Sequence, residues 1–173
     1  MRLRHWAVVA LLAVGAAACS GAEASGPPQV ELGRDMCFEC GMVIEDARFV
    51  ASYRLPDGSE KSFDDIGGLI VHGREGGELD DATVWVADFE TEQMLDAPAA
   101  FFVPTLAVAS PMGHGILAFG SEQAANEFAG AIDGSVLRWP AVRDLPLVEG
   151  RVGHHHEHEA TEDMADHEMD SEQ

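Results

Sequence analysis

The sequence predicts an α+β fold in which two small ββαβ-like units form one compact domain. Short β-branched and aromatic runs alternate with two helix-like stretches, each opened by a capping residue and closed by a glycine. Turns rich in Pro and Gly join the strand-like runs in the manner of hairpins. Laying Phe63-Asp64-Asp65 over Phe119-Gly120-Ser121 brings two strand–strand–helix–strand patterns into alignment, although sequence identity between them is low.

In the first unit, Arg48-Phe49-Val50-Ala51-Ser52-Tyr53-Arg54 has the composition of a strand, and Pro56-Asp57-Gly58 supplies the turn back to Lys61-Ser62-Phe63. Asp64 is expected to cap a helix over 65–72 that Gly73 ends, and Ala82 to Ala87 forms the next strand. In the second unit, the apolar run Ala99 to Val103 closes at Pro104, and Ile116-Leu117-Ala118-Phe119 is a strand. Ser121 caps a helix over 122–132, with Phe128 and Ile132 on one face. Gly134 ends it, and Val136-Leu137-Arg138-Trp139 follows as a strand. Hairpin connections make the pairing antiparallel.

This domain, residues 32–150, is flanked by segments of different composition. Residues 1–18 read as a secretory leader: Arg2, Arg4 and His5 precede an apolar run from Trp6 to Ala18, and Cys19 follows three alanines. Thirteen helical residues rise about 20 Å, too short for a hydrocarbon core of about 30 Å. A cysteine directly after small residues resembles a bacterial lipoprotein box, in which Cys19 would carry lipid and become the mature N-terminus. Ser20 in the next position then favours an outer-membrane anchor over an inner one, with the protein facing the periplasm. Residues 19–31, rich in Gly, Ala and Pro, form a flexible tether. Residues 151–173 form an acidic, His-rich tail expected to be disordered: from His154 onward it holds eight acids, five histidines and no Lys or Arg.

Charge excludes some functions. The whole chain carries ten Lys and Arg against 31 acids, a formal charge of −21. Without the two leader arginines the figure is −23. Such a chain repels nucleic acid and anionic lipid surfaces. It contains no nucleophile elbow, phosphate loop or dinucleotide fingerprint.

The chemistry concentrates in sulfur. Asp35-Met36-Cys37-Phe38-Glu39-Cys40-Gly41-Met42 places two thiols and two thioethers in eight residues, and these are the only cysteines besides Cys19. Soft donors of this kind select copper(I). Cys37-x-x-Cys40 also admits half of a zinc site, a thioredoxin-like redox pair and a structural disulfide. A second turn, Ser110-Pro111-Met112-Gly113-His114-Gly115, sets a thioether and an imidazole two residues apart. In extended backbone such residues point the same way, and the same argument joins Cys40 to Met42. The flanking Pro and Gly residues place Met112 on a surface loop. A site of thiolate, thioether and imidazole suits copper(I) better than zinc, which gains little from thioether sulfur. His72 reads as a helix-end or core contact and Met94 as packing. The tail sequence His154-His155-His156-Glu157-His158-Glu159, with Met164, His167 and Met169, reads either as a low-affinity metal collector or as a solvated tail.

The lipobox cysteine, the Asp35–Met42 segment, Phe63-Asp64-Asp65-Ile66 and Ser110-Pro111-Met112-Gly113 together resemble the NosL family over residues 19–140. The resemblance implies a lipid-anchored copper(I) chaperone, not an enzyme. Such a chaperone would pass metal to a membrane transport complex of the ABC type and so to the copper centres of nitrous oxide reductase. It implies paired ββαβ units related to the organomercurial lyase core. It also implies Cys40 and Met42 as primary ligands, Met112 and His114 as completing or transfer ligands, and a less defined part for Cys37. Two rivals are a periplasmic thiol enzyme using Cys37 and Cys40 and a structural lipoprotein stapled by a Cys37–Cys40 disulfide. The first needs both cysteines and makes Met42 dispensable, and the second predicts an oxidised pair and no tight copper(I) binding.

Overall fold

The computed structural model describes residues 25–147. The leader, Cys19 and the His-rich tail lie outside the described residues. After a short 3-10 turn at Ala47–Phe49, the first unit runs β1 (Ala51–Arg54), β2 (Glu60–Phe63), α1 (Ile66–Glu75), β3 (Thr83–Ala87) and β4 (Met94–Asp96). The second runs β5 (Phe101–Pro104), β6 (Ile116–Phe119), α2 (Glu122–Ala131), β7 (Leu137–Arg138) and α3 (Trp139–Arg143). The sheet orders are β2-β1-β3-β4 and β6-β5-β7, and every strand pair is antiparallel. Each unit thus places its first strand between its second and third, and the α+β reading as two ββαβ units holds.

The β1–β2 hairpin closes where the sequence places it. Leu55 N–H donates to Ser59 O (2.9 Å), Asp57 Oδ1 accepts from Ser59 N–H (2.9 Å), and Gly58 takes φ +86°. Tyr53 and Phe63 then face inward and meet Ile66, Leu69 and Ile70 on α1, all fully buried. Each such apolar side chain contributes about 2 kcal/mol by leaving water. On α2, Ala125 and Ala129 are buried, and Phe128 stacks on Phe119 at 5.5 Å. The two sheets meet where Phe89 N–H donates to Ala118 O (2.8 Å) and Gly120 N–H to Asp88 Oδ2 (2.6 Å).

Several boundaries differ from the sequence reading, each for a local reason. The first strand starts at Ala51, because Asp46 caps the 3-10 turn by accepting from Arg48 N–H at 3.1 Å. The cap of α1 is Asp65, not Asp64: its carboxylate accepts from Gly67 N–H at 2.7 Å. Gly73 does not end α1, which continues to Glu75. A side chain at Gly73 would lie 2.6 Å from Leu79 Cγ, so this glycine serves close packing rather than termination. The last strand stops at Arg138 because Pro140 sits at the start of the unforeseen α3, where proline suits a helix. Strand β4, also unforeseen, is short and pairs only with β3.

Candidate metal centre

The cysteines occupy a tight backbone loop, not a helix. Met36 and Val43 pair as an isolated bridge, and Cys37 N–H donates to Met42 O at 2.7 Å. Gly41 N–H donates to Cys37 O at 2.9 Å, with Gly41 at φ +71°, a conformation glycine adopts without strain. Cys40-Gly41-Met42 therefore turns. The extended-chain argument that pointed Cys40 and Met42 the same way does not apply. A thioredoxin-like pair needs a helix N-terminus at the thiols, and this loop provides none.

The third donor comes from the β2–α1 junction. One ligand atom each from Cys37, Cys40 and Asp64 lie within 4.8 Å of one another, a grouping that could hold a metal ion. Cys40 Sγ approaches the Asp64 carboxylate oxygens at 3.7 and 3.9 Å, the reach of a thiol donating to a carboxylate. Because Asp65 takes the cap, Asp64 is released to face the loop. The repeat alignment carried that signal, since it sets Asp65, not Asp64, opposite the capping Ser121. Cys37 is 2% exposed, and burial pushes its thiol up to about 12, so at neutral pH it is a protonated thiol until a metal displaces the proton.

The 110–115 turn is built onto the start of α1. The second carboxylate oxygen of Asp65 accepts from Ser110 Oγ (2.5 Å) and Met112 N–H (3.2 Å), and Gly115 N–H donates to Ser110 Oγ (2.9 Å). Contrary to the surface-loop reading, Met112 is buried (4% exposed) and belongs to the same apolar cluster as Cys37, with Cys40 packed against it. Its sulfur lies over Gly68 and the His114 ring over Gly67, so the two residues do point the same way, onto one helical turn. His114 Nε2 is buried with no hydrogen-bond partner. His114 is not part of the Cys37–Cys40–Asp64 grouping.

Met42 is 42% exposed and, with Val43, Glu45, Asp46, Asp64 and Pro111, lines an open cavity of about 360 Å³. That cavity connects the cysteine loop, through Asp64, to the residue preceding Met112. His72 stands apart from the thiols: its Nδ1 lies 2.7 Å from Glu39 and its ring packs on Phe38 and Phe63, as a core contact would. Met94 packs against the core, as read from sequence.

Fold and site together define a small two-unit α+β protein in which two thiols meet the Asp64 carboxylate beside a cavity that carries the Met42 thioether. The NosL family model matches residues 29–145, and the chain belongs to the NosL family. The fold is similar to the crystal structure of the copper chaperone NosL from Shewanella denitrificans. The TM-score is 0.57 and the identity 20%, over 66% of this chain and 96% of that one. Nothing among curated proteins matches the sequence.

Proposed function

We propose that this chain is a copper(I) metallochaperone, anchored by lipid on Cys19 and facing the periplasm. It would serve a membrane copper-transfer complex that feeds the copper centres of nitrous oxide reductase. The observation that carries the copper-binding part is the meeting of Cys37, Cys40 and Asp64, with Asp64 also lining the cavity that bears the Met42 thioether. Thiolate and thioether donors favour copper(I) over harder ions. Membership of the NosL family supports the same reading, as does the likeness to a structure described as a copper chaperone.

The arrangement suits carriage rather than catalysis. Met42 at the rim offers an entering ion its first sulfur, half-buried Cys40 the next, and Cys37 the deepest. Met36, Phe38, Met42 and Val43 are exposed apolar residues of this one loop, and they give a recipient protein a surface on which to dock. The Asp64 oxygen supports a second reading, since two thiolates and a carboxylate also suit zinc.

The test is a copper(I) competition titration of the full chain against a strong chromophoric chelator, without oxygen and under reducing conditions. Cys40→Ser and Met42→Leu variants and a zinc arm run in parallel. One tightly held copper(I) per chain, weakened by both substitutions and not displaced by zinc, is the expected result. A chelator that strips all copper from the wild-type chain overturns the reading, and displacement by stoichiometric zinc transfers the site to that metal. Loss of metabolic lipid labelling in Cys19→Ser checks the anchor separately.

A further inference from the structure

The two residues between the cysteines fasten the loop to the elements on either side of Asp64. Phe38 N–H donates to Ser62 O in β2 at 2.9 Å. The Phe38 ring meets His72 of α1 edge-on at 5.1 Å, with the Lys61 ammonium 4.7 Å from its centroid. Glu39 Oε2 lies 2.7 Å from His72 Nδ1, and Lys61 Nζ lies 3.3 Å from His72 Nε2. An ammonium only donates, so Nε2 accepts and Nδ1 carries the proton that goes to Glu39. Lys61 continues to both Glu78 oxygens at 2.8 and 2.9 Å, and Glu78 accepts from the Tyr53 hydroxyl. The chain Glu39–His72–Lys61–Glu78–Tyr53 is partly shielded throughout, the Glu39 side chain being 11% exposed.

We infer that His72, acting through Glu39, is a positioning residue for the metal site, holding the Cys37–Cys40 turn so that Cys40 meets Asp64. The inference rests on the copper-binding reading above. Its physical basis is shared attachment: Asp64 lies between β2 and α1, and the loop is tied to β2 through Ser62 and to α1 through His72. The separation of Cys40 from Asp64 is therefore set by the Glu39–His72 contact. With that contact gone, the loop keeps its own backbone bonds and the Phe38 anchor, but it can pivot away from α1. Groups that orient metal ligands typically change affinity by about 10–100-fold when removed.

The test measures copper(I) affinity by chelator competition on four variants of the full chain. His72→Phe keeps a ring against Phe38 and Phe63 but removes both hydrogen bonds. Glu39→Ala removes the acceptor, and Glu39→Gln retains one. Tyr53→Phe breaks the chain at its far end. His72→Phe and Glu39→Ala are expected to weaken binding about tenfold or more, with Glu39→Gln restoring it to near the wild-type value. Tyr53→Phe should lower the unfolding midpoint and leave affinity unchanged. Wild-type affinity in His72→Phe overturns the inference. So does an equal loss in Tyr53→Phe, which would mean general softening of the fold. If the wild-type chain itself takes no copper, the copper reading falls and this inference with it.

Discussion

Two adjacent glycines at the start of α1 offer a quantitative test of how the second loop is seated. Helix propensity favours alanine over glycine by about 1 kcal/mol at each position. The structure opposes that gain differently at the two sites. A Cβ on Gly67 would lie 2.3 Å from His114 Cβ and Cγ, atoms at the root of a side chain that cannot swing away. Relief requires the whole 110–115 turn to move, which loosens the Asp65 bonds to Ser110 and Met112. Overpacking costs about 1–3 kcal/mol, and a weakened hydrogen bond to a carboxylate costs about 1.5–3 kcal/mol. After the propensity gain, Gly67→Ala is expected to lose about 1.5–5 kcal/mol. At Gly68 the Cβ meets Met112 Sδ at 2.5 Å and Cε at 3.3 Å, the far end of a flexible chain. There the cost and the gain, each about 1 kcal/mol, cancel, so Gly68→Ala stays within about 0.5 kcal/mol of wild type. Its Met112 sulfur nevertheless moves, so copper(I) affinity tests the completing-ligand role that the family resemblance implies for Met112: a fall of about tenfold supports that role, and wild-type affinity removes it. Urea unfolding read by tryptophan fluorescence gives the stabilities, and chelator competition gives the affinities. A Gly67→Ala variant as stable as wild type would refute the seating of His114 on the helix.

Three further outcomes are expected. Gly115→Ala forces a side chain into φ +63° and within 1.9 Å of the Thr105 carbonyl oxygen, so it should cost more than about 3 kcal/mol in denaturant unfolding. Burial alone would raise the Asp88 carboxyl, but the N–H groups of Thr91, Gly120 and Glu90 outweigh it and hold the carboxyl below its usual value. The stability this confers is present above about pH 4 and is lost as pH falls through the folded-state value. Asp88→Asn should lose about 2 kcal/mol at pH 7 and show a flatter acid limb in a pH series of unfolding. In the metal-free folded chain, partly buried Cys40 should react with iodoacetamide well before Cys37, whose thiol is pushed up to about 12 by burial. Peptide mass mapping decides this, and equal rates in the native protein would contradict the burial argument.

The sequence was legible where chemistry is local. The hairpin at Pro56-Asp57-Gly58, the Ser121 cap and the sulfur-rich loop depend on residues close in the chain, and the structure reproduces them. It was less legible where packing overrides local preference. Gly73 read as a helix end, and Gly67 and Gly68 carried no signal of their own, yet each admits a side chain from elsewhere: Leu79, His114 and Met112 respectively. Met112 read as a surface residue because of its Pro and Gly neighbours. Those neighbours instead fold the turn back on Asp65 and bury the thioether. Phe38 and Glu39 were passed over as spacers because their partners, Ser62, Lys61 and His72, lie more than twenty residues away.

Asp64 shows how the duplicated framework divides its labour. In both units a strand ends in phenylalanine, one residue follows, and the next caps a helix: Phe63-Asp64-Asp65 and Phe119-Gly120-Ser121. The middle residue faces neither core nor cap, so each unit is free to use it differently. In the second unit Gly120 gives its N–H to Asp88, with a space so close that its own Cβ would lie 3.0 Å from that carboxylate. That junction is committed to joining the sheets and could not hold a ligand side chain. In the first unit the same position looks onto the cysteine loop and carries a carboxylate. The capping duty that the sequence suggests for Asp64 belongs to its neighbour, because two successive strand-end residues cannot both turn toward the first free N–H groups of the helix. Two nearly equivalent junctions therefore differ in use: one carries a carboxylate to the cysteine loop, and the other ties the two sheets together.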